Sequence, residues 1–599
     1  MNSLRHLNKY LFRYKWHLLL GVLFVVAQNF GAIYPAVLVR KSLDEVLLYL
    51  GKMNSEGINR EELLAAITST VFTFFLLIIL VTLLRGLLMF LMRQKIIVVS
   101  RKIEFDLKNE IYNQYQLLSQ SFYKRNSTGD IMNRISEDVS RVRMYLGPAI
   151  MYSVNLLVLF ILILTSMANV NLKLTLYVLA PLPFLSISIY FVSDLINRKS
   201  EEIQIQQSRL SSFVQESFSG IRILKSFVRE NFVTDEFQRE SDSYLDKNMQ
   251  LAKVNAFFYP LMLLLVGLST LLVIYIGGQE VFRGRATTGN IAEFVIYVNM
   301  LTWPVASLGW VTSIIQRAAA SQKRINEFLH INPEISSVED GDKLLSGKIE
   351  FRKVSITYPE SGIKALQQIS FTVNPGETLA ILGKTGSGKS TIAGLILRLY
   401  DAGEGTVLVD GTDIRNWPLH SLRQQCGYVP QDSFLFSDTI ANNIAFGLRQ
   451  ELNPDERRKM IHEAAKNADI YNNVMEFRMG FDTRIGERGI TLSGGQKQRV
   501  SIARAIIKNP AVLIFDDCLS AVDTKTEEVI LQNLIKLMKD RTSILISHRI
   551  SSVKNADKII FLDHGRILEE GTHESLLALQ GAYFELYQKQ LLEEKEIKS

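Results

Sequence analysis

The sequence predicts a chain in two parts, a six-helix transmembrane domain with long helical extensions fused to a C-terminal α/β domain built around a phosphate-binding loop. Three observations predict it. Six apolar runs of spanning length fall within the first 316 residues, and a complete Gly-x-x-x-x-Gly-Lys-Ser loop follows at 383–390. The third is composition: 47% apolar residues with a mean hydropathy of +0.12 suit neither a soluble protein nor one wholly buried in lipid.

The apolar runs cover about 16–38, 64–92, 146–168, 172–192, 256–277 and 291–316, the last being the least apolar. The charges between them orient the chain. The connection from Arg93 to Arg143 carries ten Lys or Arg and that from Ser193 to Lys253 nine, whereas that from Arg40 to Leu63 carries four against five acids. By the positive-inside bias, both long basic connections, both termini and the second domain lie on the cytoplasmic side of a bacterial inner membrane. Arg5, Lys9, Arg13 and Lys15 before an apolar run imitate a signal peptide, but that run is long and five more follow. Leu4, Leu7, Leu11 and Tyr14 instead share one helical face, as in an interfacial elbow helix. A net charge of +7 is accounted for by loops near anionic lipid and calls for no nucleic-acid partner.

In the second domain, Gly383-Lys384-Thr385-Gly386-Ser387-Gly388-Lys389-Ser390 follows a strand-like run, Thr378 to Leu382, and opens a helical pattern from Thr391. Strand, loop and helix in that order are the setting in which backbone N–H groups and a helix N-terminus cradle phosphate oxygens. Lys389 would then reach the β and γ phosphates of ATP, and Ser390 would ligate Mg²⁺. A second apolar strand, Ala511 to Phe515, ends in Asp516 and Asp517. Asp516 suits the same metal ion, and Asp517 stands where a general base would activate the attacking water.

Leu492-Ser493-Gly494-Gly495-Gln496 ahead of a basic helix, in the order phosphate loop, signature, carboxylate strand and His548, resembles the ATP-binding-cassette (ABC) exporter family. The resemblance implies that two cassettes pair head to tail, with Ser493, Gly494, Gly495 and Gln496 capping the γ-phosphate held by the other cassette. It further implies that Tyr358 stacks on adenine, that Gln431 in Tyr-Val-Pro-Gln contacts metal and water, and that His548 is the switch residue. Glu487 in Gly-Glu-Arg-Gly and Asp523 would couple the two halves.

The long basic connections carry few prolines or glycines and read as membrane helices continued into the cytoplasm. Ser121 to Asp130 with Arg134 to Val139 resembles the first coupling segment of exporter-type half-transporters, and Gln215 to Arg222 the second. A transmembrane domain over 1–330, a linker over 331–346, an ATP-binding cassette over 347–587 and a charged tail over 588–599 follow from the break at Ile331-Asn332-Pro333 and the strand signal at Lys348 to Phe351. The two cysteines, Cys426 and Cys518, both fall in the cytoplasmic domain, where packing is expected rather than a disulfide.

Arg85 inside the second apolar run is costly in lipid and marks a substrate path or an ion pair, with snorkelling toward the cytoplasmic end as the alternative. Trp303 and Trp310 give the sixth span an aromatic face that suits a substrate lining or a helix seam equally. The lipid A flippases have a similar Arg-Gly pair, but their further basic positions align here near Asn155 and at Trp303 and Ala306, which moves the expectation toward hydrophobic drugs or less anionic lipids. The run Tyr297 to Pro304 with Trp310 and Gln316-Arg317 resembles the MdlA-type multidrug branch. In that branch Asp at the 517 position pairs with a different subunit bearing Glu. The expectation is therefore ATP-driven export of hydrophobic or amphipathic molecules or lipids by alternating access, with this chain as half of a dimer, a heterodimer being favoured over a homodimer. A lipid flippase, an importer on the exporter fold, and a subunit whose main ATPase site lies on its partner are the alternatives.

Overall fold

The computed structural model describes residues 2–56, 60–337, 341–448, 452–486, 492–518 and 524–598. The chain forms two compact units, Met1–Gln114 with Gly129–Ile331, and Tyr115–Thr128 with Asn332–Ser599. Tyr115–Thr128, from between the second and third spans, thus packs with the cassette, whereas a single division at residue 330 leaves it with the membrane domain.

The membrane unit is helical: α1 (Lys15–Glu56), α2 (Arg60–Leu117), α3 (Ile150–Val170), α4 (Leu172–Leu179), α5 (Pro181–Ser219), α6 (Glu230–Phe282) and α7 (Thr288–Leu329). Among the described residues five helices are long and apolar enough to cross a membrane: Lys15–Lys52, Glu61–Leu117, Thr128–Val170, Glu230–Phe282 and Thr288–Leu329. The expected span at 172–192 is instead divided between α4 and α5. Pro181 explains the division, because it has no N–H to continue the ladder yet is preorganised for the first turn of a new helix. The inner faces meet in a core that includes Ile33, Ile163, Met167, Phe294, Tyr297 and Leu301. Large apolar side chains also cover the outside, with Leu80, Leu83 and Phe90 exposed, as a lipid-facing surface requires.

The cassette unit holds two sheets. One is antiparallel in the order β2-β1-β4-β5, from β1 (Ile349–Thr357), β2 (Lys364–Val373), β4 (Glu404–Val409) and β5 (Thr412–Asp413). The other runs β10-β9-β3-β8-β7-β6, from β3 (Thr378–Gly383), β6 (Cys426–Val429), β7 (Val512–Asp516), β8 (Thr542–Ile546), β9 (Lys558–Asp563) and β10 (Arg566–Gly571). β6, β7, β8, β3 and β9 are mutually parallel, so their carboxyl ends lie along one edge, which is where α/β sheets place ligands. Alternation along each strand feeds two cores: Ala380 and Leu382 of β3 join one, Leu379 and Ile381 the other. The tail expected over 588–599 continues a helix, Ala582–Lys598.

Candidate functional site

The phosphate loop joins β3 to the helix Lys389–Ile396, and its conformation depends on glycine. Gly388 has φ +101°, and a Cβ there would stand 2.4 Å from the Ala365 carbonyl oxygen. Inside the loop, Lys389 Nζ donates to the carbonyl oxygens of Gly383 (2.8 Å) and Lys384 (2.9 Å), so the ammonium is held at the mouth of the cradle. The buried Ser387 Oγ has no hydrogen-bond partner among the described residues, and a phosphate oxygen fits as the acceptor for its hydroxyl. Burial holds the Lys389 ammonium below its usual range, opposed by the charges of Asp517 and Asp516. A polyanion would relieve that cost.

Because β8 lies between β3 and β7, the ends of all three strands converge on this loop. Ser390 Oγ donates to Asp516 Oδ1 at 3.0 Å, which brings together two of the three expected metal ligands; the third, Gln431, contacts Asp517 instead. Asp516 is 2% exposed, and burial raises its carboxyl above the usual range, with the neighbouring Asp517 charge in the same direction. No cluster of three or more His, Cys, Asp or Glu is present among the described residues. One hydroxyl and one carboxylate fit Mg²⁺, which takes its remaining ligands from substrate phosphates and water.

Asp517 has φ +49°, a left-handed conformation rare outside glycine but tolerated by aspartate. Its N–H donates to the Ile546 carbonyl oxygen at 2.9 Å, fixing it to the end of β8. Its carboxylate then lies 2.7 Å from His548 Nδ1 through Oδ1 and accepts from Gln431 Nε2 at 3.4 Å through Oδ2. The other two expected catalytic side chains therefore both contact Asp517. Cys518 beside them is buried and unpaired, like Cys426; burial pushes both thiols up, Cys426 to about 12, which leaves them inert.

Tyr358 is tied to the helix that follows this loop, its hydroxyl 2.9 Å from Thr391 Oγ1, and packs edge-on against Tyr400 with ring centroids 5.1 Å apart. Lys124 Nζ, from the helix Gln120–Arg125, stands 4.8 Å from the centre of the Tyr358 ring. The sequence places Lys124 in a coupling segment but gives no sign that it meets the ring, because the contact joins residues 234 apart in the chain. At the signature, Ser493 Oγ accepts from the Gln496 N–H at 3.3 Å, while the Ser493 N–H donates to Gln496 Oε1 at 3.0 Å. This reciprocal box starts the helix Gly494–Ile506 and leaves the exposed end of Ser493 at an anion-attracting terminus. Glu487 and Asp523 lie outside the described residues.

Comparison with known proteins decides the family. Residues 18–305 match the model of the ABC transporter transmembrane region and residues 366–520 that of the ABC transporter. The probable multidrug resistance ABC transporter ATP-binding/permease protein YheI of Bacillus subtilis is 38% identical over 81% of this chain and 83% of its own length. The multidrug resistance-like ATP-binding protein MdlA of Escherichia coli is 35% identical over 85% of each. An ATP-dependent lipid A-core flippase of Syntrophus aciditrophicus is 36% identical over 83% of this chain and 82% of that protein. The chain belongs to the ABC transporter family. A solved bacterial Atm1-family ABC exporter with ATP bound superposes on the transporter with a TM-score of 0.75 at 27% identity, covering 97% of this chain and 98% of that one. The transporter binds nucleotide in its cassette, and ATP hydrolysis there drives export through its membrane domain.

In the transporter's membrane unit, Arg85 and Trp303 border one cavity of about 330 Å³. Gly31 makes room for Arg85: a Cβ there would lie 3.3 Å from Arg85 Cβ. Gln28 Nε2 and Asn29 Nδ2 both donate to Asn155 Oδ1, at 2.6 and 3.0 Å, across the same space. Arg93 also lines it, and sequence reading missed that residue; its place two helical turns after Arg85 was the available signal. Trp310 is not on the cavity wall but packs edge-on against Tyr152, which is, with centroids 5.3 Å apart.

Proposed function

We propose that the transporter exports amphipathic molecules, small or lipid, by alternating access, as one half of a dimer in the inner membrane of a bacterium with both termini and the cassette in the cytoplasm. The cavity carries the substrate side of the reading. Among the described residues, two guanidinium groups, three carboxamides and four methionines line it, and no carboxylate does. Arg85 Nε and Gln28 Oε1 are buried there without hydrogen-bond partners among the described residues. Such a lining suits an acidic or polar head with an adaptable apolar contact for the rest of the molecule. This moves the expectation back toward anionic amphiphiles and away from cationic drugs. Relatives named for multidrug resistance and for lipid A-core flipping bracket that range.

Within the cassette, Lys389, Ser387 and the loop amides would hold the ATP phosphates, and Ser390 with Asp516 would hold Mg²⁺. The ion supplies neutralisation of charge at the β and γ oxygens. Ser493 and the amides beside it would serve the second cassette's nucleotide. A different partner chain is favoured over a second copy, because Asp517 is a shorter base than glutamate while the signature sequence is intact.

The test is ATP-driven uptake into inverted vesicles holding the full-length chain, alone and with any neighbouring half-transporter. Uptake of an alkyl carboxylate or phosphate exceeding that of its matched alkylamine, and lost in Arg85→Gln, is expected. Equal uptake of all three would overturn the head-group reading, and no uptake with either partner arrangement would overturn export itself.

A further inference from the structure

Lys124 belongs to the connection between the second and third spans, yet its ammonium sits on the residue expected to carry the nucleobase. It stands 4.8 Å from the Tyr358 ring centre and 5.2 Å from that of Tyr400. Glu360, two residues beyond Tyr358, lies 3.9 Å from Lys124 Nζ, and both its carboxylate oxygens are buried with no hydrogen-bond partner among the described residues. The helix itself is anchored: Arg125 pairs with Glu334, and Ser119 Oγ donates to the same carboxylate at 3.2 Å.

We infer that Lys124 is a positioning residue for the nucleobase, acting through Tyr358. Tyr358 is restrained at one end by the Thr391 hydroxyl and on its flank by Tyr400, and the ammonium covers a ring face. Two aromatic faces stacked together repel through their negative quadrupoles. A cation against the tyrosine draws that electron density back, so the ring becomes a better platform for an electron-rich purine. Glu360 keeps the ammonium charged and in place. Since a segment of the membrane-domain sequence supplies the cation, anything that displaces this helix lowers ATP affinity. By linkage, ATP binding holds the helix down.

The inference rests on Tyr358 being the base platform, and the experiment separates the two. Full-length transporter in lipid is assayed for ATP hydrolysis and for inhibition by inorganic tripolyphosphate, which has no base. Lys124→Met, with Glu360→Gln alongside to leave no unpaired carboxylate, is expected to raise the KM for ATP roughly three- to thirtyfold. Maximal turnover and tripolyphosphate inhibition should be unchanged, and Lys124→Arg should restore the KM. In a Tyr358→Leu background the Lys124 substitution should add nothing. Equal weakening toward ATP and tripolyphosphate, or a persistent effect without Tyr358, would show a merely structural role and overturn the inference. If Tyr358→Leu itself leaves ATP affinity relative to tripolyphosphate unaltered, the platform reading fails instead.

Discussion

His548 Nδ1 lies 2.7 Å from Asp517 Oδ1, so the histidine expected to act as the switch and the carboxylate after β7 form a pair without nucleotide. Gln431 closes on the other oxygen of the same carboxylate at 3.4 Å. The left-handed backbone at Asp517 makes this possible, since it turns a short side chain toward the loop that follows β8. Asp517 is thereby a hub that orients two neighbours, and reaching water is a separate demand.

That distinction predicts the effect of restoring the longer acid. Asp517→Glu extends the carboxylate by one C–C bond, about 1.5 Å. If reach limits the chemistry, ATP turnover by the isolated chain rises at least about tenfold with little change in KM. Steady-state hydrolysis beside Asp517→Asn and His548→Ala measures it. Robust turnover by the unaltered chain that is lost in both Asp517→Asn and His548→Ala, with no gain from Glu, would mean that the Asp517–His548 pair suffices and that no partner is needed to supply a base.

Two glycines of the phosphate loop should respond differently. At Gly388 an added methyl would collide with the rigid Ala365 carbonyl at 2.4 Å, whereas at Gly386, φ +81°, nothing lies within 4 Å. Gly386→Ala then costs only its backbone conformation, about 1–2 kcal/mol. Equilibrium ATP binding should be lost in Gly388→Ala and weakened about tenfold in Gly386→Ala. Similar losses in both would mean that the carbonyl gives way.

These glycines illustrate what could be read in advance. The phosphate loop, Asp516 and the signature are contiguous stretches whose chemistry fixes residue type at each position, so the convergence of Ser390 on Asp516 follows from them. Pro181 divides 172–192 between two helices, although the apolar character on both sides of it reads as a single span. Contacts between distant segments left no local trace. Lys124 on Tyr358, and Gln28 and Asn29 on Asn155, each require the fold. The Asp517–His548 pair could be expected from family order, but not the left-handed turn that makes it.

Asp138 and Arg324 form another such distant pair. The Asp138 side chain is 5% exposed and is gripped by two guanidinium nitrogens, Nε at 3.0 Å being one. Arg324→Leu leaves a buried carboxylate unpaired and should destabilise the membrane unit by about 2–4 kcal/mol. Adding Asp138→Leu should recover much of it. Denaturation of the four members of this cycle in one detergent gives the coupling energy, and additivity would show that the two side chains act independently.

Three side chains of the N-terminal segment converge on one carboxylate. Glu110 on α2 pairs with Lys9 at 2.6 Å and accepts from the Tyr10 hydroxyl, with His6 Nε2 looser at 3.5 Å. Burial alone would raise its carboxyl, but the bonds from His6, Lys9 and Tyr10 outweigh it and hold the group at about 2. An unfolded glutamate takes its proton near 4.5. The stabilisation is therefore fully present above that pH and is lost as pH falls from there toward 2. The side chain is 31% exposed, so solvent screening reduces the contribution to about 1–2 kcal/mol. Acid protease cleavage of the first residues, followed between pH 5 and 2.5, should accelerate as the pH drops. Glu110→Gln should be cleaved quickly throughout and show little pH dependence of the segment's release, while Lys9→Met should shift the release to higher pH. A pH response unchanged in Glu110→Gln would assign the latch to Arg13 and Asp106, which pair at 2.9 Å one turn away.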